Sequence, residues 1–283
     1  MFYKKNNIYT LLNIGKKILM FNNVPYAQLN AEILLSFVLN IDRSKIFFIM
    51  NKKLTDYQIF KFFKYIFRRS KREPIDYITG ISYFMNFKFK VNKNVLIPRN
   101  ETEILVVEVL KFCNIKKYIS VLDLCTGSGC IAISLSKLYN FENIVASDIN
   151  IKALKIAKIN SRNNNVFNIK FINSNIYSNI CCKRFDIIVS NPPYISYNES
   201  VFADDEIKYE PKDALVASDD GLFFYKKIVN ESKKYLNNGG AIFVELNSNK
   251  VNEIEKMFKD NYYINVKIFN DYSGLPRILK AEI

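Results

Sequence analysis

Apolar residues in the first quarter of the chain recur at intervals of three and four residues. One series runs from Leu11 to Leu19 and another from Ala31 to Val38. This spacing is that of amphipathic helices, and no alternating strand pattern interrupts it. Residues 1–73 are therefore predicted to form a small domain of several short helices.

One helix in this domain has a predicted beginning, end and buried face. Thr55 offers a hydroxyl for the N-cap, and Pro74 disfavours a helical conformation at the residue before it. Phe60, Phe63 and Ile66 recur between them at helical spacing. We predict that this apolar stripe belongs to the core of the domain rather than to an interface.

After Pro74 the pattern becomes that of strands. Alternation towards Val91 predicts a short hairpin, and residues 74–94 are interpreted as a linker that carries it. In residues 95–283, buried strands alternate with helices, which predicts a mostly parallel sheet with helices on both faces. The predicted strands are Ile119–Leu124, Ile144–Ile149, Ile169–Ile172, Phe185–Ser190, Ala241–Leu246, Ile264–Asn270 and Arg277–Ile283.

The last two predicted strands are joined by a tight turn at Ser273–Gly274. Two strands joined in this way must run antiparallel. The expected fold is therefore α/β, with a doubly wound seven-stranded sheet that is mostly parallel and has one antiparallel strand. This arrangement resembles that of class I methyltransferases.

The composition is that of a folded protein, with 49% hydrophobic and 24% charged residues. The net charge of +14 would suit an acidic or phosphate-bearing partner, but the lysines are spread along the chain. A nucleic-acid footprint should cluster. We therefore interpret most of the charge as compositional drift and do not expect direct nucleic-acid binding.

The cysteines and the absence of histidine argue against a metal site. A zinc site without histidine would need thiolates and carboxylates alone, and no C-x-x-C pair is present. With neither a membrane span nor a secretory signal in the pattern, we expect a cytoplasmic enzyme with reduced thiols. The cysteines are Cys113, Cys125, Cys130, Cys181 and Cys182.

A glycine-containing turn follows the first strand of the predicted sheet. Glycines let the backbone pass close to a ligand, and the helix that follows presents unpaired N–H groups. Asp148 ends the next strand about twenty residues later, where an acid can accept hydrogen bonds from both ribose hydroxyls of a nucleoside. Asp148 could instead cap the following helix. The turn residues are Cys125, Thr126, Gly127, Ser128 and Gly129.

The tetrapeptide Asn191-Pro192-Pro193-Tyr194 follows the fourth strand. Two prolines remove two N–H donors and fix the backbone, which leaves carbonyl groups free to accept from a ligand. Asn191 adds a side-chain acceptor and Tyr194 a flat ring. This set suits a planar amide or amine, so Asn191, Pro192 and Tyr194 are the candidate catalytic residues.

Two segments together resemble a known family. Asn191–Tyr194 matches the NPPY motif of methyltransferases that act on amide or exocyclic amine nitrogen, and Leu96–Glu103 is similar to the LIPRPETE signature of the HemK/PrmC release factor glutamine methyltransferases. Further matches are Tyr209-Glu210-Pro211, Ala214-Leu215, Asp220-Gly221-Leu222, Asp271, Gly274 and Arg277.

The resemblance implies a cofactor, a substrate and a partner. S-adenosyl-L-methionine would be bound by Cys125–Gly129, Asp148 and Asn191, and the substrate glutamine by Asn191–Tyr194. The partner would be a peptide chain release factor, methylated at the side-chain nitrogen of the glutamine in its Gly-Gly-Gln motif. Independently of the resemblance, we expect the helical domain to dock the protein partner, since helix faces give adaptable grooves.

Three positions depart from the family pattern. Asn100 replaces the usual proline, and Asn175-Ile176-Tyr177 stands where an acid and an aromatic residue typically lie near the adenine. Asn247 stands where a glycine often follows Glu245-Leu246. These departures concern the adenine contacts and leave the tetrapeptide intact.

Three other functions remain open at this point. A methylase of a ribosomal-protein glutamine shares the NPPY motif, although Glu101-Thr102-Glu103 favours the release factor branch. A nucleic-acid base methylase would fit the basic charge but usually carries an added target-recognition region, which is not found here. A scaffold that binds the cofactor without activity is disfavoured by the intact tetrapeptide.

Overall fold

The computed structural model describes residues 7–113, 119–181, 183–201 and 204–283, so Cys182 lies outside it. These residues form two compact units. One unit contains the described residues up to Gly80 together with Asp204–Tyr209, and the other contains the rest. No helix in the described ranges has both the length and the apolarity that a bilayer span requires.

The first unit is helical. Its elements are α1 (Ile8–Phe21), α2 (Ala27–Leu39), a 3₁₀ segment (Arg43–Ile49), α3 (Asp56–Ser70) and α4 (Ile75–Thr79). Thr55 caps α3 as predicted, because its hydroxyl accepts from the Gln58 N–H while the Gln58 side chain accepts from the Thr55 N–H. The helix α4 was not predicted.

The predicted buried stripe of α3 is wrong at one of its three positions. Ile66 is buried and Phe63 is half-buried, but the Phe60 side chain is 67% exposed. The residue that packs inward is Phe62, which lies with Ile66 against Gly15 of α1. Successive helical residues are turned by about 100°, so Phe60 and Phe62 point to different sides. The helix therefore carries apolar residues on two faces.

Residues Asp204–Tyr209 belong to the helical unit although they lie far along the chain. The buried guanidinium of Arg69 pairs with Glu206 at 2.7 Å, and the Tyr209 hydroxyl donates to the Lys71 carbonyl at 2.7 Å. Arg72 adds a longer ion pair to Asp204. These contacts lie at the end of α3, between Arg69 and Arg72, and attach the segment to this unit.

The second unit begins with an antiparallel hairpin of β1 (Ile81–Phe84) and β2 (Phe87–Lys90). A seven-stranded sheet follows, with the spatial order β5-β4-β3-β6-β7-β9-β8. Only β9 runs against its neighbours, which confirms the predicted α/β fold with one antiparallel strand. The strands are β3 (Ser120–Leu124), β4 (Asn143–Asp148), β5 (Ile169–Asn173), β6 (Phe185–Ser190), β7 (Leu236–Glu245), β8 (Ile264–Asn270) and β9 (Pro276–Glu282).

Both faces of the sheet are covered by helices. Consecutive residues of one strand, such as Val121 and Leu122, belong to different cores, because side chains alternate across a strand. The first core includes residues of α5 and α6, and the second includes residues of α9 and α10. The helices of this unit are α5 (Glu103–Cys113), α6 (Cys130–Leu138), α7 (Ile151–Asn163), α8 (Tyr197–Val201), α9 (Phe223–Ser232) and α10 (Val251–Asp260).

The fully buried Asn160 of α7 joins three parts of this unit. Its side chain accepts from the Lys90 N–H at 2.6 Å and donates to the Lys90 carbonyl at 3.0 Å, as a neighbouring strand would. It also donates to the Ser128 carbonyl at 2.9 Å. One amide therefore holds the hairpin and the glycine-containing turn on the same helix.

Candidate active site

The register of the parallel strands brings the predicted site residues to one edge of the sheet. Leu124 at the end of β3 is opposite Ser147 of β4 on one side and Ser190 of β6 on the other. The turn after β3, Asp148 and the tetrapeptide after β6 therefore leave the sheet side by side. Carboxyl ends of adjacent parallel strands are the usual place for a ligand crevice.

The turn after β3 is tightly wound. Cys125, Gly127 and Gly129 have φ angles of +60°, +55° and +82°. At Gly129 a Cβ would crowd Ile133 and Ala157, so this glycine allows close helix packing. At Gly127 a Cβ would meet no described atom within 4 Å, and this open side faces the cavity that the residue lines. Gly127 is thus a point where the turn leaves space for a ligand close to the backbone.

Thr126 and Ser128 point away from that open side. Both side chains are buried, and the Thr126 hydroxyl donates to Asp123 at 2.5 Å. Burial raises the pKa of Asp123 to about 7. Thr126 and Ser128 therefore pack into the interior below the turn and do not line the cavity.

Asp148 is bonded to the turn by its carboxylate. It accepts from the Gly127 N–H at 2.9 Å and from the Asn150 N–H at 2.8 Å. Burial raises the pKa of Asp148, and these N–H groups act in the opposite direction. The N-cap of α7 is Asn150, whose side chain accepts from Lys152 and Ala153, so the alternative role of Asp148 as that cap does not hold.

The tetrapeptide side chains are oriented by residues from other elements. Asn191 Nδ2 donates to the Thr102 hydroxyl at 3.1 Å, and the Tyr194 hydroxyl donates to Glu245 at 3.0 Å. Thr102 in turn donates to the second oxygen of Glu245 at 2.5 Å. Burial raises the pKa of both Tyr194 and Glu245. No described residue donates to Asn191 Oδ1 or to the carbonyl of Pro192.

The segment before α5 is held by an acid that is distant in the sequence, and Glu103 at the start of α5 is bonded to the hairpin. Arg99 pairs with the buried Glu210 at 2.5 Å, and the same carboxylate accepts from the Ile97 N–H at 3.0 Å. Glu103 accepts from the Met85 N–H in the hairpin turn at 2.5 Å. The acids and the arginine of this segment therefore fix its course beside the sheet edge.

A cavity of about 350 Å³ lies at this edge, within the range of roughly 300–1,000 Å³ for small-molecule sites. Of the predicted residues, it is lined by Cys125, Gly127, Asp148, Asn191 and Pro193. The other predicted residues, Thr126, Ser128, Gly129, Pro192 and Tyr194, are not part of its lining.

Several lining residues were not predicted. They come from the segment at 94–96, from Ile149 and Asn150, and from residues 211–224, which include Asp213, Phe223 and Phe224. The Asp220-Gly221-Leu222 match stands immediately before Phe223 and is a signal that could have pointed to this part of the wall. Nothing in the periodicity separates these aromatic residues from core residues.

The Asn175-Ile176-Tyr177 segment, which departs from the family pattern, contributes two residues to the cavity and one to the core. Asn175 and Ile176 line the cavity, and Ile176 has a φ of +54°. Tyr177 is buried and stacks on Tyr235, with ring centroids 4.5 Å apart. The first two residues therefore present an amide and an apolar surface to a ligand, and the third belongs to the core.

The backbone of the tetrapeptide is also held at the Tyr194 carbonyl, by Asn247 and Gly221. Asn247 donates to the Tyr194 carbonyl at 3.0 Å, which gives this departure from the family pattern a structural role. Gly221 has a φ of +88°, and a Cβ on it would overlap the same carbonyl. The chain after Tyr194 is therefore confined between two elements.

Comparisons with known proteins agree over most of the chain. A model of the PrmC N-terminal domain matches residues 10–80, and one of the methyltransferase small domain matches residues 101–218. A release factor glutamine methyltransferase of Clostridium acetobutylicum is 37% identical over 93% of this chain and 94% of its own. One from Buchnera aphidicola is 39% identical over 95% and 96%. A methyltransferase structure from Pyrococcus furiosus shares the fold, with a TM-score of 0.53, 19% identity, and coverage of 70% and 90%.

Gly221 allows a measurement of how closely the tetrapeptide is packed. Gly221→Ala and Gly274→Ala both place a side chain at a positive φ, but a Cβ at Gly274 would meet no described atom within 4 Å. We expect Gly221→Ala to lower the free energy of unfolding by about 1–3 kcal/mol more than Gly274→Ala. Denaturant unfolding followed by circular dichroism compares them, and equal losses would contradict the overlap with Tyr194.

Proposed function

Because the chain belongs to the release factor glutamine methyltransferase family, as its motifs predicted, we propose that it methylates a release factor with S-adenosyl-L-methionine. The methyl group goes to the side-chain amide nitrogen of the glutamine in the Gly-Gly-Gln motif. One observation carries this proposal: the open glycine turn, Asp148 and Asn191 line a single cavity. The nucleoside site and two residues of the tetrapeptide, Asn191 and Pro193, thus share one space.

The residues of the cavity fit S-adenosylmethionine. Gly127 leaves open space where a side chain would block a ligand, and the Asp148 carboxylate can accept from ribose hydroxyls. Ile176, Phe223 and Phe224 offer apolar surface for the adenine. When bound, this cofactor supplies a methyl group on a positively charged sulfur, an activated donor that needs no metal.

The tetrapeptide fits the amide of glutamine. An amide nitrogen is a poor nucleophile because its lone pair is delocalised into the carbonyl group. Asn191 Oδ1 and the Pro192 carbonyl take no hydrogen bond from the described residues, so both can accept the two amide hydrogens. These bonds orient the nitrogen and increase its electron density, while Tyr194 holds the substrate side chain.

The work of the site is therefore positioning and electrostatics. Oriented acceptors act on a group that gains positive charge as its new bond forms, and they need no reorganisation at that moment. No general base is required within this scheme, since the proton can leave to water after transfer. Asn191, Pro192 and Tyr194 are the catalytic residues that we assign.

We assign docking of the protein substrate to the helical domain proposed at residues 1–73, with a linker at 74–94; the described part of this domain lies within the helical unit. Phe60 and Phe67 on α3 are 67% and 60% exposed, and Tyr57 is 70% exposed. Aromatic side chains clustered on an exposed helix face are typical of interaction surfaces. The catalytic domain that we propose at residues 95–283 would then receive the glutamine loop.

The proposed function is tested with labelled S-adenosylmethionine and four purified acceptors: release factor, ribosomal protein, RNA and DNA. We expect label on the release factor alone, at the glutamine of the Gly-Gly-Gln motif, with loss of labelling when that glutamine is changed to alanine. Label on a ribosomal protein or a nucleic acid, but not on the release factor, would replace the proposal with one of the other methylase functions.

Asn191→Ala should lower turnover by about a hundredfold, the effect of removing one preorganised polar contact. Binding of S-adenosylmethionine should weaken less, because the cofactor has other contacts in the cavity. Steady-state kinetics and titration calorimetry measure the two effects. Asn249→Ala removes an exposed amide bonded to Glu199 and is the control. Near-normal turnover of Asn191→Ala would remove Asn191 from the catalytic set.

Asp148→Asn should weaken binding of S-adenosylmethionine by roughly 10–100-fold, because hydrogen bonds to a charged group contribute about 1.5–3 kcal/mol. The amide keeps the size of the side chain, but its one oxygen can accept from only one of the Gly127 and Asn150 N–H groups, which bond to different carboxylate oxygens of Asp148. The control is Asp219→Asn, which removes a partly exposed carboxylate paired with Lys226. Equal affinity of Asp148→Asn and wild type in calorimetry would refute ribose binding by Asp148.

A further inference from the structure

A chain of hydrogen bonds connects the segment before α5 to both polar side chains of the tetrapeptide. The Thr102 hydroxyl accepts from Asn191 Nδ2 at 3.1 Å and donates to Glu245 Oε2 at 2.5 Å. The other oxygen, Glu245 Oε1, accepts from the Tyr194 hydroxyl at 3.0 Å. One carboxylate therefore lies behind two residues that we assign to catalysis.

Thr102 and Glu245 do not line the cavity. Their relative exposures are 2% and 1%, so neither is accessible to a ligand. A second tyrosine, Tyr225, donates to the backbone carbonyl of Glu245 at 2.7 Å and fixes the end of β7. Any effect of Thr102 or Glu245 on the reaction must therefore pass through Asn191 or Tyr194.

The number of protons in this chain determines which way the Asn191 amide faces. An ionised carboxylate only accepts, and a threonine hydroxyl has one proton to donate. The proton of Thr102 is committed to Glu245, so Thr102 can only accept from Asn191. Asn191 must then turn its NH₂ group towards Thr102, which leaves Oδ1 for the cavity. A flipped amide would set two acceptors against each other in a buried place, which costs free energy.

We propose that Thr102 and Glu245 are positioning residues that hold Asn191 with its acceptor oxygen facing the substrate amide. This role rests on the proposed function, because a substrate that donates two N–H groups needs that oxygen and is repelled by the NH₂ group. The Glu245 carboxylate takes the proton of the Thr102 hydroxyl in a hydrogen bond. Thr102 can then only accept from Asn191, which sets the orientation of the Asn191 amide. Tyr194 is held by the same carboxylate.

Glu245→Gln tests whether the Glu245 carboxylate sets the orientation of the Asn191 amide, with little change in side-chain volume. The glutamine NH₂ can donate to Thr102, whose proton is then free for Asn191 Oδ1. The amide of Asn191 can thus flip in this variant without any unpaired group. Burial raises the pKa of Glu245, and its hydrogen bonds and the charge of Arg277 lower it. Assays are therefore run on the alkaline side of neutral, which favours the carboxylate.

Kinetics of three variants give the first measurement. Thr102→Val and Glu245→Gln should lower kcat by roughly tenfold, the size of one lost hydrogen-bond constraint, with KM for the release factor little changed. Thr102→Ser keeps the hydroxyl and should restore most of kcat. Thr79→Val is the matched control, because its hydroxyl bonds the Ile75 carbonyl in the helical unit. If Thr102→Val does not fold, Glu245→Gln carries the same test.

A double-mutant cycle shows whether the effect passes through Asn191. In an Asn191→Ala background, Thr102→Val should cause no further loss of kcat, because the amide to be oriented is already absent. A full additional loss in that background would assign Thr102 a merely structural role and overturn the proposal.

Hydrogen exchange gives a readout that needs no substrate. The Asn191 side-chain NH₂ signal in ¹⁵N nuclear magnetic resonance is identified by its loss in Asn191→Asp. We expect its exchange to be slow in wild type and Thr102→Ser, and at least tenfold faster in Thr102→Val. Unchanged exchange, or unchanged kcat in an active enzyme, overturns the proposal. A wild-type enzyme without activity on release factors would instead overturn the proposed function, and exchange alone then decides this inference.

Discussion

The parallel pairing of β3 with β4 and β6 is the constraint on which the site depends. Backbone hydrogen bonds along these strands align Leu124 with Ser147 and Ser190, so three loops emerge at the same height. The cavity lies where they emerge. A shift of one residue in either pairing would turn Asp148 or Asn191 to the opposite face, because side chains alternate along a strand.

Buried acids then connect segments that the sequence keeps far apart. Glu210 holds Arg99, and Glu245 holds Thr102 and Tyr194. A buried carboxylate without partners would be strongly unfavourable, so each acid requires its donors to lie in one arrangement. The family signature before α5 thus has a physical meaning: its arginine and threonine are partners of acids more than a hundred residues later in the chain.

Much of the fold was predictable because periodicity reports burial directly. All seven strands of the sheet were anticipated within a few residues, and so was the reversed one, since a tight turn permits only antiparallel neighbours. The error at Phe60 has the same origin. A helix with aromatic residues on two faces gives the same spacing on each, and only packing against Gly15 decides that Phe62 is the buried one.

The sequence by itself determined the fold class, the glycine turn, Asp148 and the tetrapeptide, because these follow from local spacing and from residue chemistry. Only the tertiary structure decided that Thr126 and Ser128 face inward, that Phe223 and Phe224 line the cavity, and that Thr102 bonds Asn191. The physical reason is that the direction of a side chain and the partner of a polar atom depend on long-range packing, which no local pattern contains.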